Sequence, residues 1–457
     1  MRLDRRLFLG VTISAAGAGL LSSHVLAKNE LAMGNLRGSF SAIDAGLRPG
    51  ASDDQSKLFQ SILDKASAGN KPVFLPPGNY QISNIKLPRK TVLIGVPGAT
   101  RIIYTGGGHC LMAENSEHVE ITGINIDGNN RRIEDYAEAL IRISNCRHLV
   151  IENCEINGSA GTGIYVGRSS GRIERNSIGG ITGYCAIFGI ENNAMKIKSN
   201  NIRNCSNGGI LVHRWTDGED GTIVTDNHIS NIGAAEGGTG QWGNGINVFR
   251  ANSVQISNNQ ITDCKFSAIR SNGGSNVQIL GNSCLRSGET AIYSEFEFVG
   301  ALISNNLVDT CARGISIVNY MQGGRLAVCS NNIVRNVTSP ISYEIEDATS
   351  SGISVEADST VTGNVIENSP DFGIALGWGP YLRNVITTSN IIRGSDVGIY
   401  VSVVEGSKST VISNNIISDF KRGAIIGYRW AKPTTKELAG SKSSGFDHLS
   451  VSGNQIS

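Results

Sequence analysis

The sequence predicts an all-β chain folded as a stacked parallel solenoid, from three observations. Thirteen short segments after residue 119 share one pattern of alternating apolar residues, a polar pair and a closing apolar residue. Examples are V-E-I-T-G-I-N-I from Val119, V-Q-I-S-N-N-Q-I from Val254 and T-V-I-S-N-N-I-I from Thr410. Aligned two residues before the closing apolar position, they fall at Ile124, Cys154, Asn176, Asn200, Asn227, Asn259, Asn282, Asn306, Asn332, Asn364, Asn390, Asn415 and Asn454. A step of roughly 22 to 27 residues dominates, a solenoid period too short for helical pairs. A second motif, small residue-Ile-any-apolar, precedes these segments by roughly ten residues, as in Gly163-Ile164-Tyr165-Val166, Gly209-Ile210-Leu211-Val212 and Gly398-Ile399-Tyr400-Val401. Both motifs alternate with period 2 and are rich in Ile and Val, so both are strands.

Taken in chain order, residues 1–27 serve export rather than the fold. Arg5-Arg6-Leu7-Phe8-Leu9 resembles a twin-arginine signal, followed by an apolar stretch from Val11 to Leu21 and a Val25-Leu26-Ala27 cleavage pattern. Asp4 and Gly10 stand where such signals usually carry Ser/Thr and Lys. No other segment approaches the ~18 apolar residues needed to span a membrane. The expected destination is a bacterial periplasm or the exterior. Residues 28–118 form an N-terminal cap and the first coils. There Ser52-Asp53-Asp54 caps a helix over 54–68, with Leu58, Phe59, Ile62, Leu63 and Ala66 on one face and Gly69-Asn70 as its stop. A cap is needed because an open edge strand recruits other chains. Residues 119–457 are the repeats, and the insertion at 427–448 is the candidate cap for the far end.

Each coil thus carries the G-I-x-V strand, the V-x-I strand, an Asn turn and a short third strand. That coil resembles the pectin-lyase-like right-handed parallel β-helix of pectate lyases, alginate epimerases and related carbohydrate proteins. The helix followed by Leu75-Pro76-Pro77-Gly78-Asn79-Tyr80 resembles the opening of many such chains. Thirteen coils at ~4.8 Å per strand imply one rod of roughly 60 Å. A twin-arginine signal ahead of β-helix repeats also resembles a family of twin-arginine-translocated repeat proteins of uncharacterised role. That resemblance implies folding before export and the twin-arginine machinery as a partner.

The eleven asparagines of the column are structural rather than a binding stripe. Asn tolerates left-handed backbone angles, and stacked Asn side chains hydrogen-bond along a coil axis. Cys205, Cys264 and Cys311 lie five residues after their aligned Asn, where other coils hold Ile181, Val337 or Phe420, so they are expected in the core. Cys146 and Cys154 are near enough to pair locally, but nine cysteines cannot form a complete disulfide framework. Without residues 1–27, which hold Arg2, Asp4, Arg5 and Arg6, 37 basic and 38 acidic residues remain, a net charge of −1. That balance gives no general attraction to nucleic acid or anionic membrane. No C-x-x-C, no histidine pair at ligand spacing and no phosphate loop after a strand is present, so no cofactor or metal is evident.

Function is expected where the repeat is interrupted. The middle residue of G-I-x-V and the residue after the motif should face solvent, and insertions at 127–138, 213–221, 233–244, 319–325, 338–351 and 377–383 flank that face. In similar β-helix enzymes this strand face carries the polysaccharide site. Trp215, Trp242, Phe249, Tyr320 and Trp378 are candidates to stack on sugars, and Tyr293 and Glu356 are further groove residues. Arg214, Arg250 and Arg270 are candidates to clamp uronate carboxylates in bidentate contacts. Arg270, Glu295 and His213 are the catalytic candidates. His213 and Glu295 are three coils apart, roughly 14 Å and too far for one acid–base pair. Arg270 and Glu295 lie on neighbouring coils, at a diagonal distance of ~7–8 Å. Paired aspartates, Asp-Pro-His and Gly-His-Gly, the signatures familiar from pectate lyases, polygalacturonases and alginate epimerases, are not evident in this groove. The functional expectation is a β-helix protein that binds or modifies an acidic polysaccharide, as a lyase, epimerase or glycoside hydrolase if it is an enzyme. The alternatives are a non-catalytic envelope-associated solenoid and a cofactor- or metal-handling protein.

Overall fold

The computed structural model describes residues 38–318, 324–338, 349–440 and 445–457. The export signal at 1–27 lies outside the described residues. The rest is a right-handed parallel β-helix of about 13 turns. Its thirteen V-x-I strands, with three short strands from residues 40–94 ahead of them, stack into a sheet of sixteen, and the other two strands of each coil build the remaining walls. Among the described residues, every strand pair is parallel except Tyr428–Arg429 against Lys432–Pro433.

The interior is filled by the alternate residues of each strand. Ile210, Ile246, Ile269, Ile292 and Ile315 stack in register and are fully buried. The small residue ahead of each Ile has a steric cause. A Cβ at Gly209 would sit 2.2 Å from the Gly245 carbonyl oxygen, and one at Gly245 would sit 2.7 Å from that of Ala268. Only a small side chain lets adjacent coils approach this closely.

The Asn column forms a continuous ladder. Asn259 Nδ2 and backbone N–H both donate to Asn282 Oδ1, at 2.9 and 3.0 Å, while Nδ2 also donates to the Val224 carbonyl at 3.0 Å. The same pattern runs from Asn176 to Asn454. One expectation is corrected. The left-handed residue of each turn is not the ladder Asn but the residue before it: Asn258 at φ 56°, Asn305 at 59°, Asn331 at 57°, Asn414 at 57°. The polar pair therefore divides its labour. Its first member takes the strained backbone, and its second turns inward to satisfy buried main-chain groups.

Cys205, Ile232, Cys264, Ser287, Cys311 and Val337 occupy one stacked column, as register required. All nine cysteines are free and buried, Cys146 and Cys154 included. Burial pushes the Cys205, Cys264 and Cys311 thiols up to about 12.

Helix α1 spans Ser56–Ala68, two residues shorter than expected at its start, where Asp54 Oδ1 accepts the Ser56 N–H at 2.8 Å. Phe59, Ile62, Leu63 and Ala66 cover the first coils, but Leu58 is 38% exposed. The buried four follow i, i+3, i+4, i+7, a narrower stripe that leaves Leu58 at its edge. At the far end the candidate cap is a cap in fact. Glu437 accepts N–H bonds from Ala424, Ile425 and Ala439, the Leu438 N–H donates to the Ile425 carbonyl, and Leu438 and Ala439 are buried.

Candidate functional site

Strand register sets the site. His213, Phe249, Asn272 and Glu295 pair successively in one row, and Leu211, Asn247, Arg270 and Tyr293 form the row two residues earlier. These side chains point away from the solenoid core, yet most are not exposed. Leu211 is 1% exposed, Asn247 4%, Arg270 8% and Glu295 2%, which corrects the expectation that this face meets solvent. The cause is the insertion at 233–244, which folds over the strands. Gly240 carbonyl accepts from Asn244 Nδ2 at 2.7 Å and Asn247 Nδ2 at 3.1 Å, and Trp242 packs edge-on against Tyr184 at 5.0 Å. Between loop and strands remains a cleft of about 520 Å³, lined by Glu138, Thr162, Tyr184, Phe188, His213, Trp215, Gly240, Gln241, Asn247, Phe249, Arg270 and Asn272. A wider groove of about 900 Å³ runs along the third-strand turns past Asp263, Lys265 and Arg286, where Arg286 is already paired to Asp263 at 2.7 Å.

His213 occupies the cleft floor between Phe188 and Phe249, at ring separations of 5.3 and 5.6 Å. It is 8% exposed and its Nε2 has no hydrogen-bond partner. Burial pushes its pKa down to about 4, so the ring is uncharged at neutral pH. A buried polar atom without a partner costs free energy unless something reaches it.

Arg270 and Glu295 are in direct contact rather than at a diagonal distance: Arg270 Nε donates to Glu295 Oε1 at 2.6 Å. Arg270 Nη1 donates to Thr239 Oγ1 at 2.8 Å and lies 3.7 Å from Glu289 Oε2. Thr239 Oγ1 in turn donates to Glu289 Oε2 at 2.7 Å, and Asn272 Nδ2 donates to Glu295 Oε1 at 3.0 Å. Burial works against the guanidinium charge, but Glu295 and Glu289 more than offset it and raise the Arg270 pKa. The guanidinium also lies 5.0 Å from the Tyr293 ring centre, and burial together with Glu295 raises the Tyr293 pKa. Arg270 is thus a strut between loop and strands, and neither carboxylate lines the cleft. Glu289, three residues before Ile292 and outside the motif, carried no periodic signal in the sequence. Tyr184, Gln241 and Glu138 likewise reach the cleft from turns.

The remaining candidates divide by position. Trp215 is 67% exposed at the rim, and Arg250, in the left-handed region at φ 53°, donates to the Trp215 carbonyl at 3.0 Å while lying 4.9 Å over the Phe249 ring. Arg214 follows His213 where the strand register becomes irregular, and it is not among the residues that line the cleft. Trp378 packs on Trp430 at 5.6 Å in a later coil, and Glu356 is buried two coils beyond Glu295. Neither reaches the cleft. Tyr320 lies outside the described residues. Among the described residues no group of three or more His, Cys, Asp and Glu is placed to hold a metal ion.

Residues 109–239 and 215–380 match the family model of the right handed beta helix region. The chain belongs to the right-handed β-helix family. Residues 39–116 of this β-helix protein also match a model described as rhamnogalacturonase A/epimerase, pectate lyase-like. No curated protein matches the sequence. Among solved structures, the pre-mature bacteriophage phi29 gene product 12 is 17% identical over 93% of this chain and 60% of its own, with a TM-score of 0.53. The A-module of an Azotobacter vinelandii mannuronan C-5 epimerase is 14% identical over 92% of this chain and 99% of its own, with a TM-score of 0.47. The catalytic unit of a thermostable alpha-1,3-glucanase from Streptomyces thermodiastaticus is 15% identical over 92% and 69%, with a TM-score of 0.41. At such identities the likeness is one of fold.

Proposed function

We propose that this β-helix protein binds a glycan chain, holding one sugar unit in the cleft above His213, and that it recognises the sugar without transforming it. The observation that carries this reading is the unpartnered His213 Nε2, buried at the floor of an open cleft walled by Tyr184, Phe188, Phe249 and Trp215. Aromatic walls with a few convergent polar groups are what a small-molecule subsite requires. His213 Nε2 and the Gln241 amide supply polar contacts, and the rings supply flat apolar surface. The pectate-lyase-like match over 39–116 points the same way. Recognition is favoured over catalysis because Glu289 and Glu295 are held by Arg270 behind the cleft, and Glu138, the one carboxylate that lines it, accepts from Arg142 at 3.2 Å, so no carboxylate at the ligand is uncommitted to act with His213. We further propose that the chain works outside the cytoplasm after export through its Arg5-Arg6 signal.

Fluorescence of Trp215 and Trp242 tests the first reading: oligosaccharide should change it saturably, with no change in chain length or reducing ends on long incubation. Turnover of the bound glycan would replace recognition with catalysis, and absence of any sugar binding would remove the reading altogether. For export, Arg5→Lys/Arg6→Lys should leave unprocessed chain inside the cell. Normal processing of that variant would count against the twin-arginine route.

A further inference from the structure

We propose that the sugar held in this cleft is uncharged, a neutral pyranose and not a uronate; the inference rests on the glycan reading above and narrows it. It comes from the electrostatics of the walls. The charged residues lining the cleft are Glu138 and Arg270, and both are already paired. Glu138 Oε2 accepts from Arg142 Nε at 3.2 Å. Arg270, the one lining cation, has Glu295 at 2.6 Å and Glu289 at 3.7 Å, both carboxylates being at least nine-tenths buried. Its positive charge is therefore cancelled behind the cleft before it can act in it. Arg250 is an exposed rim residue that lies over the outer ring, Phe249, and spends one N–H on the Trp215 carbonyl.

A uronate carboxylate entering this space would shed water without meeting an uncompensated cation, and burying an unpaired charge is costly. A neutral pyranose faces no such penalty. Its apolar C–H face lies on Phe249, Phe188 or Trp215, and a ring hydroxyl reaches His213 Nε2 as donor or acceptor according to the tautomer. Asn272 commits one of its two amide N–H groups to Glu295 at 3.0 Å, and the other is an uncharged donor that supplies no counter-charge to an anion. Of the three arginines that the sequence offered as uronate clamps, Arg270 is the one that lines the cleft, and the fold has used its charge for itself.

A printed array of uncharged hexose and pentose oligomers beside uronate oligomers of matched length, probed with mature protein at neutral pH and low salt, tests the inference. Binding should fall on uncharged glycans, with uronate oligomers weaker by roughly tenfold or more. Phe249→Ala and His213→Gln should each remove the signal on the uncharged spots while thermal melting stays cooperative, which places the ligand in this cleft. Signal confined to uronate spots, or weakened by salt as an ion-paired contact would be, overturns the inference while leaving the glycan reading intact. Signal on neither class overturns both. Signal on uncharged spots that survives both variants moves the ligand elsewhere and overturns the inference.

Discussion

Two aromatic clusters sit on the same strand face of this rod, and only one is open. Near the C-terminal end Phe372, Tyr400 and Tyr428 pack with ring separations of 4.6–5.5 Å. Tyr400 continues the row of Arg270, and Tyr428 ends the row of His213. Here the loops close completely. Tyr400 hydroxyl donates to the Trp430 carbonyl at 3.0 Å, Tyr428 hydroxyl accepts from Arg422 at 3.3 Å, and Trp378 stacks edge-on against Trp430. In the cluster of Phe188, His213 and Phe249 the covering loop stands off, a cleft remains and the imidazole is left without a partner. The strands supply equivalent positions in both. The loops decide whether aromatic residues become a second core or a binding wall.

Substitutions can break that contrast. Tyr428→Ala should cost the most, about 3–5 kcal/mol of stability as for other large aromatic truncations in a core, measured by denaturant unfolding. It should leave glycan binding unchanged in the fraction that folds. Asn259→Ala tests the scaffold common to both clusters. It leaves the Asn227 backbone N–H without its acceptor, at about 1–3 kcal/mol for the buried group so orphaned, while Asn227 Nδ2 keeps the Ile197 and Thr225 carbonyls, and the unfolding midpoint should fall accordingly.

The pH dependence sharpens the comparison, because the closed cluster has no histidine in it. His213 has a folded pKa of about 4 against 6.5 unfolded, lowered by burial. The unfolded chain therefore binds the extra proton between these values, and stability should be full above about pH 6.5 and decline as pH falls toward 4. His109 is lowered in the same sense, again by burial, so the decline has two contributors. His213→Gln should flatten part of the slope and His109→Gln another part. A slope unaltered by His213→Gln would mean that the ring is not desolvated as described. The smallest effect is expected of Phe249→Ala, with under ~1 kcal/mol on stability because the ring is only half-buried, but ~1–2 kcal/mol on glycan affinity, read by calorimetry.

The rod was legible in the sequence because its physics is local and repeated. Each coil restates the same alternation, the same Asn and the same small residue, so the Cys205–Cys264–Cys311 column and the ladder followed from spacing alone. The site was legible only as a set of names. His213, Trp215, Phe249 and Arg270 converge as register required, but whether each side chain is free or committed depends on the insertion at 233–244, which has no period to read. Thr239 and Glu289 are the reason Arg270 is a strut, and nothing in the repeat points to either. The same ambiguity misplaced Trp378, whose partner Trp430 comes from the end cap. Polar residues on a solenoid face thus declare their position in the sequence and their role only once the loops are placed.

The most direct test of the account is the ¹⁵N resonance of the His213 imidazole during titration with an uncharged oligosaccharide. The account predicts an uncharged ring at neutral pH whose Nε2 signal shifts saturably as ligand fills the cleft, while the signals of His118 and His148, stacked together in another row, stay still. A ligand that binds with the His213 signal unmoved would contradict it.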